Sequence, residues 1–264
     1  MNKIFLSKIK PVAQKIALEA GEMILRNYGR VHVIRQKGSH AINLVTDVDQ
    51  KSEAFIVGRL RKEFPDHQIM AEEGSLSKSP SPYRWLIDPL DGTTNYAHGF
   101  PFFCVSLGLQ YKEETVLGFV YAPMLREFFI AEKGKGAALN GKKIRVSTET
   151  KLGRSLLATG FPYDVREAKQ NNLNYFSAFL TRSRAIRRAG SAAIDLCYVA
   201  CGRFDGFWEL RLMPWDLAAG VLMVEEAGGK VTDFSGKKLN LFEGDTAASN
   251  GKIHSALLKV IRET

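Results

Sequence analysis

In the stretch WLIDPLDGTTN a hydrophobic run ends on Asp88 and Asp91, with Pro89 and Leu90 between them and Gly92, Thr93 and Thr94 behind. Unpaired carboxylates at the end of a buried strand are costly, so the segment calls for a cation. Two further acids occupy comparable places: Glu72 follows HQIMA, and Asp216 follows Pro214, a residue suited to open a helix. Donor sets made only of oxygen favour Mg²⁺, Mn²⁺ or Ca²⁺ over zinc. Taken singly, each motif has a plain structural reading: DG is a hairpin dipeptide, DP opens turns, EEG is a solvated strand end and PWD a helix N-terminus. Together they say more, because DPLDGTTN brings two carboxylates, the Leu90 carbonyl and two hydroxyls into one turn.

If a short helix begins near Thr93, its free amides and dipole form an anion site beside the acids, and a phosphate group bridges the two. Such chemistry needs no Ser or Cys nucleophile. Bound metal lowers the pKa of water, and two cations about 3.5–4 Å apart stabilise both attacking and leaving oxygens. The histidines, at 32, 40, 67, 98 and 254, form no HExxH pair, which argues against zinc. His98 reads as a packing or supporting residue. EKGKGAALNGKK does not match the GxxxxGK[ST] phosphate loop.

These residues need elements to position them. Apolar residues from Ile9 to Tyr28 recur at helical spacing and stop at Gly29, and a second helix is expected from Thr46 or Asp47 to Phe64, ended by Pro65. HQIMAEEG reads as a strand, SLSKSPSP as a loop and RWLID as a strand ending at Asp88. FFCVSLGLQY, ETVLGFVYAP and EFFIAEKGKGAAL then make an antiparallel meander. Beyond a soft boundary at 148–154 the pattern alternates: strand SLLATGF, a helix over 167–180, strand RAIRR, helix SAAIDLCYVACG, strand FDGFWEL, helix PWDLAAGVLMVEEAGG and strand KVTDF. That alternation marks an α/β layer, where ligands bind at strand ends.

At 264 residues and 45% hydrophobic composition the chain can bury a large core. Its three cysteines include no CxxC pair, which favours a reducing compartment, and Cys197 and Cys201 share a helix face suited to core packing. No secretory or membrane-spanning pattern is present, so a cytoplasmic, membrane-free protein is expected. The formal charge of +9 is spread along the chain, as suits attraction of an anionic small substrate as well as nucleic acid.

AEEG, WLIDPLDGTTNYAHGFPFFCVSLGL and PWDLAAGVLMVEEAGG, in that order, resemble the inositol monophosphatase family of Mg²⁺-dependent, lithium-sensitive sugar and polyol phosphatases. GSAAIDLCYVACGRFDGFWE resembles its bacterial branch, and the similarity runs from NLVTDVDQ to TAASN. The resemblance implies a layered αβαβα sandwich of the inositol monophosphatase/fructose-1,6-bisphosphatase type, α+β over 1–150 and α/β over 151–264, working as a homodimer. It implies one ion on Glu72, Asp88 and the Leu90 carbonyl, a second on Asp88, Asp91 and Asp216, and a third touching Glu72. These ions would be Mg²⁺, with Mn²⁺ as the alternative. Glu72, Thr93 and Asp49 are the implied catalytic group, in which Thr93, assisted by Asp49, orients the attacking water. The Gly92 and Thr93 amides would hold phosphate, and substrate hydroxyls would meet Asp91, Gly190, Ser191, Ala192, Glu209 and Asp216. The implied reaction is hydrolysis of inositol 1-phosphate. Two positions depart from many relatives: Asn43 replaces an acid, and Met213 replaces a histidine of some animal members.

TRSRAIRRAG holds Arg182, Arg184, Arg187 and Arg188. On a strand Arg187 faces away from the other three. The segment reads as a solvated or dimer-interface strand, or as one in which one or two of these arginines, or their copies from a dimer mate, grip a second phosphate and so admit fructose 1,6-bisphosphate, with Arg187 the weakest of the substrate contacts. Two alternatives stand beside these: a nucleotide substrate such as adenosine 3′,5′-bisphosphate, and an RNA- or protein-binding role.

Overall fold

The computed structural model describes residues 3–30, 34–36, 44–77 and 79–264; Asn43, His32 and His40 lie outside them. The N-terminal periodicity becomes α1 (Lys3–Asn27), longer than expected at its start and burying Ile9, Ala13, Ile16, Ala20 and Ile24 along one face. A short antiparallel pair follows, β1 (Ile34–Gln36) and β2 (Leu44–Thr46), and then α2 (Asp47–Glu63). Thr46 caps α2: its hydroxyl accepts from the amides of Val48 and Asp49, and the Asp49 carboxylate reaches back to the Thr46 amide at 2.9 Å.

Next come β3 (Gln68–Ala71), β4 (Leu76–Ser77), β5 (Tyr83–Asp91), α3 (Thr93–Ala97), β6 (Cys104–Tyr111), β7 (Glu114–Ala122), β8 (Glu127–Glu132), β9 (Gly136–Leu139) and β10 (Lys142–Lys143). They form one sheet in the order β10-β9-β8-β7-β6-β5-β3-β4, antiparallel except for the parallel pair β3–β5. Two expectations change here. The SLSKSPSP loop contributes β4, and the third meander strand is two, β8 and β9, parted by a Gly134 turn. More important for the site, the strand expected to stop at Asp88 continues to Asp91. Asp88 pairs with Ser106 and Asp91 with Cys104, three residues against two. Pro89 has no N–H to give the ladder, so the strand bulges there and resumes.

The second half holds β11 (Leu156–Thr159), α4 (Leu173–Leu180), β12 (Ala185–Arg187), α5 (Ala192–Ala200), β13 (Gly206–Glu209), α6 (Pro214–Glu226), β14 (Lys230–Thr232), β15 (Thr246–Ser249) and α7 (His254–Glu263). Its sheet runs β12-β11-β13-β15-β14, parallel on its first three strands and antiparallel after them. The helix expected over 167–180 begins only at Leu173. Asn172 precedes it at φ 75° with a fully buried side chain that accepts from Trp208 Nε1 at 2.7 Å and donates to Thr159 Oγ1 at 2.8 Å. Fixing that amide in the interior keeps the segment before it out of the helix.

Three apolar clusters hold five layers together, the middle one lying on both faces of the central helices. α1 and α2 cover one face of the large sheet, α5 and α6 lie between the sheets, and α4 and α7 cover the far face of the smaller one. The result is the expected αβαβα sandwich.

Candidate active site

Parallel pairing of β3 with β5 sets Ala71 opposite Ile87, so Glu72, just past β3, comes level with Asp88. Asp216 arrives from the first turn of α6, where its carboxylate accepts from the Met213 amide at 2.7 Å. Glu72, Asp88, Asp91 and Asp216 all line one cavity of about 510 Å³ between the two sheets, together with Leu90, Gly92, Thr93 and Thr94.

One face of α2 holds the parts in place. Asp49 Oδ1 accepts from Thr93 Oγ1 at 2.8 Å, Ser52 Oγ donates to the Pro89 carbonyl at 2.9 Å, and the Glu53 carboxylate accepts from the Glu73 and Ser75 amides at 2.6 and 2.9 Å. Positions three and four apart share a helix face, so α2 grips the α3 turn, the β5 bulge and the loop carrying Glu72 at once. Ser52 and Glu53 escaped the sequence reading. Their only signal was polarity at positions that helical spacing turns inward.

Asp91 is held from the other half. Its Oδ2 accepts from Ser191 Oγ at 2.6 Å and the Ala193 amide at 2.8 Å, at the start of α5. Asn95 Nδ2 on α3 donates to the Ala189 carbonyl at 2.8 Å and to that of Phe102 at 2.7 Å. Gly92 makes the turn between acids and helix: its φ is 92°, and a Cβ there would lie 2.9 Å from the Phe102 oxygen.

Electrostatics follow from the crowding. Burial, and then the charges of Glu72, Asp91 and Asp216, hold the Asp88 carboxyl well above the usual carboxylate range, and burial followed by Glu72 and Asp91 does the same for Asp216. Asp91 is raised by burial against the opposing hydrogen bonds from Ser191 and Ala193. Burial pushes Asp49 up to about 6, although the Thr46 and Thr93 hydroxyls favour its charged form. Glu209 rises to about 8 from burial, partly offset by Arg188. Gly160 gives Glu209 its space, since a Cβ there would stand 2.2 Å from Oε1.

The donor set suits a hard divalent cation. It is made of oxygens, and among the described residues no lysine or arginine is ion-paired to Asp88, Asp91 or Asp216. Among those residues no three acidic, Cys or His side chains converge on one ligation point; the acids share a cavity without closing on a centre.

The other sequence-derived positions divide clearly. Gly190, Ser191, Ala192 and Glu209 line the cavity, whereas Asp49 sits behind Thr93 and is 1% exposed. Arg187, the arginine singled out as a substrate contact, is exposed, donates to its neighbour's carbonyl and does not line the cavity. The arginine that does is Arg188. That one of the two lines the cavity and the other does not agrees with strand alternation, which gives relative faces but not which of them meets the cavity. His98 is exposed at the end of α3 rather than packed. Tyr163, Asp195 and Arg211 also line the cavity without having been picked out. The Tyr163 ring is half exposed, and burial of its hydroxyl among the four acids raises its pKa.

Fold and cavity together define a class: a layered sandwich enzyme built to act on phosphate esters at the ends of its strands. The chain belongs to the inositol monophosphatase family, whose model matches residues 6–264. It is 45% identical over 254 residues to an inositol-1-monophosphatase of Synechocystis, covering 96% of this chain and 88% of the relative. It is equally similar, at 45% over 256 residues, to the Nus factor SuhB of Pseudomonas aeruginosa, covering 95% and 94%. The inositol monophosphatase structure from Anabaena superposes with a TM-score of 0.89 at 41% identity, covering 98% of this chain and 97% of that one. The family consists of phosphatases that are generally metal-dependent. Among the described residues no helix is long and apolar enough to cross a membrane.

Proposed function

We propose that the protein is a Mg²⁺-dependent phosphomonoesterase for small polyol phosphates, inositol 1-phosphate foremost. One observation carries this reading: Glu72, Asp88, Asp91 and Asp216 line the same cavity as the Gly92–Thr93 turn. Glu72, Asp88, the Leu90 carbonyl, Asp91 and Asp216 would hold the cations. When bound, these neutralise the acids and polarise phosphate and water.

The remaining work falls to the chain's own groups. Thr93 Oγ1 has one proton and two acceptors, Asp49 Oδ1 at 2.8 Å and the Leu90 carbonyl at 3.0 Å. Donating to Asp49 leaves its lone pairs to orient a water and accept that water's proton, while its own proton passes to Asp49. A carboxyl pushed to about 6 is suited to take it near neutral pH. The Gly92 and Thr93 amides meet phosphate oxygens at the start of α3, and Glu209 with Gly190, Ser191 and Ala192 forms the wall for the leaving alcohol. A homodimer in the cytoplasm is carried over from the family resemblance and the cysteine usage.

Phosphate release tests the reading on inositol 1-phosphate, fructose 1,6-bisphosphate, adenosine 3′,5′-bisphosphate and histidinol phosphate, with Mg²⁺, with EDTA and with added Li⁺. Inositol 1-phosphate should show the highest kcat/KM, EDTA should abolish release and Li⁺ should inhibit it. Release unaffected by EDTA would refute the metal assignment.

A second reading has the SuhB-named relative and the +9 charge behind it: a role in binding RNA. Filter binding decides it, because genuine RNA binding weakens steeply with salt, and no retention at low salt ends the idea.

A further inference from the structure

Two acids that line the cavity have no part in the mechanism above: Asp164, whose Oδ2 is paired with Arg211, and Asp195, which has no such cationic partner among the described residues. Asp195, in the first turn of α5, is 1% exposed, lines the cavity wall, and has a buried Oδ1 with no hydrogen-bond partner. Native interiors seldom leave such an atom unsatisfied, and where one stands at a cavity wall a ligand group is a natural partner. Glu209 and Arg188 line the same cavity and act on Asp195 with opposite sign, Glu209 repelling its charge and Arg188 attracting it. Neither acid forms an ion pair with Arg188 among the described residues.

The neighbours narrow what the wall accepts. A second anionic group would face two acids, and an ammonium group would face the Arg188 guanidinium. A hydroxyl both donates and accepts, so it satisfies the Asp195 oxygen whether that carboxyl is ionised or protonated. We propose that Asp195 is a specificity residue that, beside Glu209, takes a hydroxyl of the leaving alcohol, so that the cavity selects esters of polyols over esters of hydroxyl-poor alcohols. The inference rests on the phosphatase reading and extends it to a residue that reading does not use.

The test compares kcat/KM for inositol 1-phosphate with that for cyclohexyl phosphate, the same ring without its free hydroxyls, in wild type, Asp195→Ala and Asp195→Asn. In Asp195→Ala the preference for the polyol ester should fall about tenfold or more, through KM, while turnover of cyclohexyl phosphate stays within about twofold of wild type. Asp195→Asn keeps the shape and part of the hydrogen-bonding capacity, and should lose about threefold of the preference. It also carries the test if the alanine variant does not fold. A parallel loss on both esters would mean a structural role and overturn the proposal, as would an unchanged preference in the folded variants. If wild type hydrolyses neither ester, it is the phosphatase reading that fails, and the inference falls with it.

Discussion

Replacing Gly160 by alanine should damage substrate recognition while leaving the fold intact. The new Cβ would stand 2.2 Å from Glu209 Oε1 and 2.4 Å from both Cδ and Oε2, whereas ordinary contact begins near 3.4 Å. The carboxylate must therefore retreat by about 1 Å. A misplacement of that size at a reacting complex costs up to about 10²-fold, and losing an ordinary hydrogen bond costs about 0.5–1.5 kcal/mol. Expected is a fall in kcat/KM for inositol 1-phosphate of about 10- to 100-fold. Stability should hardly move. Gly160 lies outside the left-handed region, so alanine adds no backbone strain there. The displaced group is the end of a flexible side chain, burial already opposes its charge, and alanine lowers the entropy of the unfolded chain by about 0.4–1 kcal/mol. Steady-state kinetics and a thermal melt, with Glu209→Gln as the companion variant, decide the matter. A variant with wild-type kcat/KM would show that Glu209 does not need its present position, and a collapse of the melting temperature would show that Gly160 serves the fold.

Thr93→Val removes the hydroxyl shared by Asp49 and Leu90 at nearly constant volume, so kcat should fall about 10²- to 10⁴-fold with KM little changed, and Thr93→Ser should recover most of it. Wild-type kcat in Thr93→Val would remove Thr93 from the reaction. Asp88→Asn should lower kcat by about 10³-fold or more and abolish the rise in melting temperature on adding Mg²⁺, yet leave the metal-free protein no less stable, because it deletes a charge opposed by burial and by three acids. A metal-free melting temperature well below wild type would contradict that electrostatic account. His67 is stacked between Phe64 and Tyr83, and its Nδ1 accepts from Trp85 Nε1 at 3.0 Å. Burial lowers its pKa from 6.5 to about 4, so the unfolded chain takes up the proton first as pH falls. Its contribution is full above pH 6.5 and is lost towards pH 4, about 3 kcal/mol in all. His67→Gln keeps an acceptor for Trp85 without titrating, and urea unfolding at pH 7 and 4.5 should show a smaller acid-induced loss in it. Identical losses would rule His67 out as a source of acid sensitivity.

Much of the site could be read from local chemistry. DPLDGTTN specifies its own turn: Pro89 interrupts the ladder, Gly92 takes the positive φ, and Thr93 opens a helix, each from properties of the residue itself. Thr46 and Asp49 form a capping box from a spacing visible in the sequence. Reading went astray where a distant partner overrode local preference. Asn172 delays α4 because Trp208, far along the chain, needs its amide oxygen, and Arg188 rather than Arg187 lines the cavity because the packing of β12 in its sheet, not the alternation along it, decides which face the cavity meets.

By itself the sequence determined the kinds of group this protein has for its chemistry, the elements that carry most of them and the family to which they belong, because motif spacing and side-chain periodicity are local. Only the tertiary structure decided which of those groups share a cavity. The parallel β3–β5 pairing sets Glu72 beside Asp88, the inward face of α2 joins Thr93 to Asp49, and the start of α5 brings Asp195 to the wall that Glu209 lines. Each of these meetings joins segments that are not adjacent in sequence, and its position is set by how strands pair and helices pack on the sheets, which no local pattern encodes.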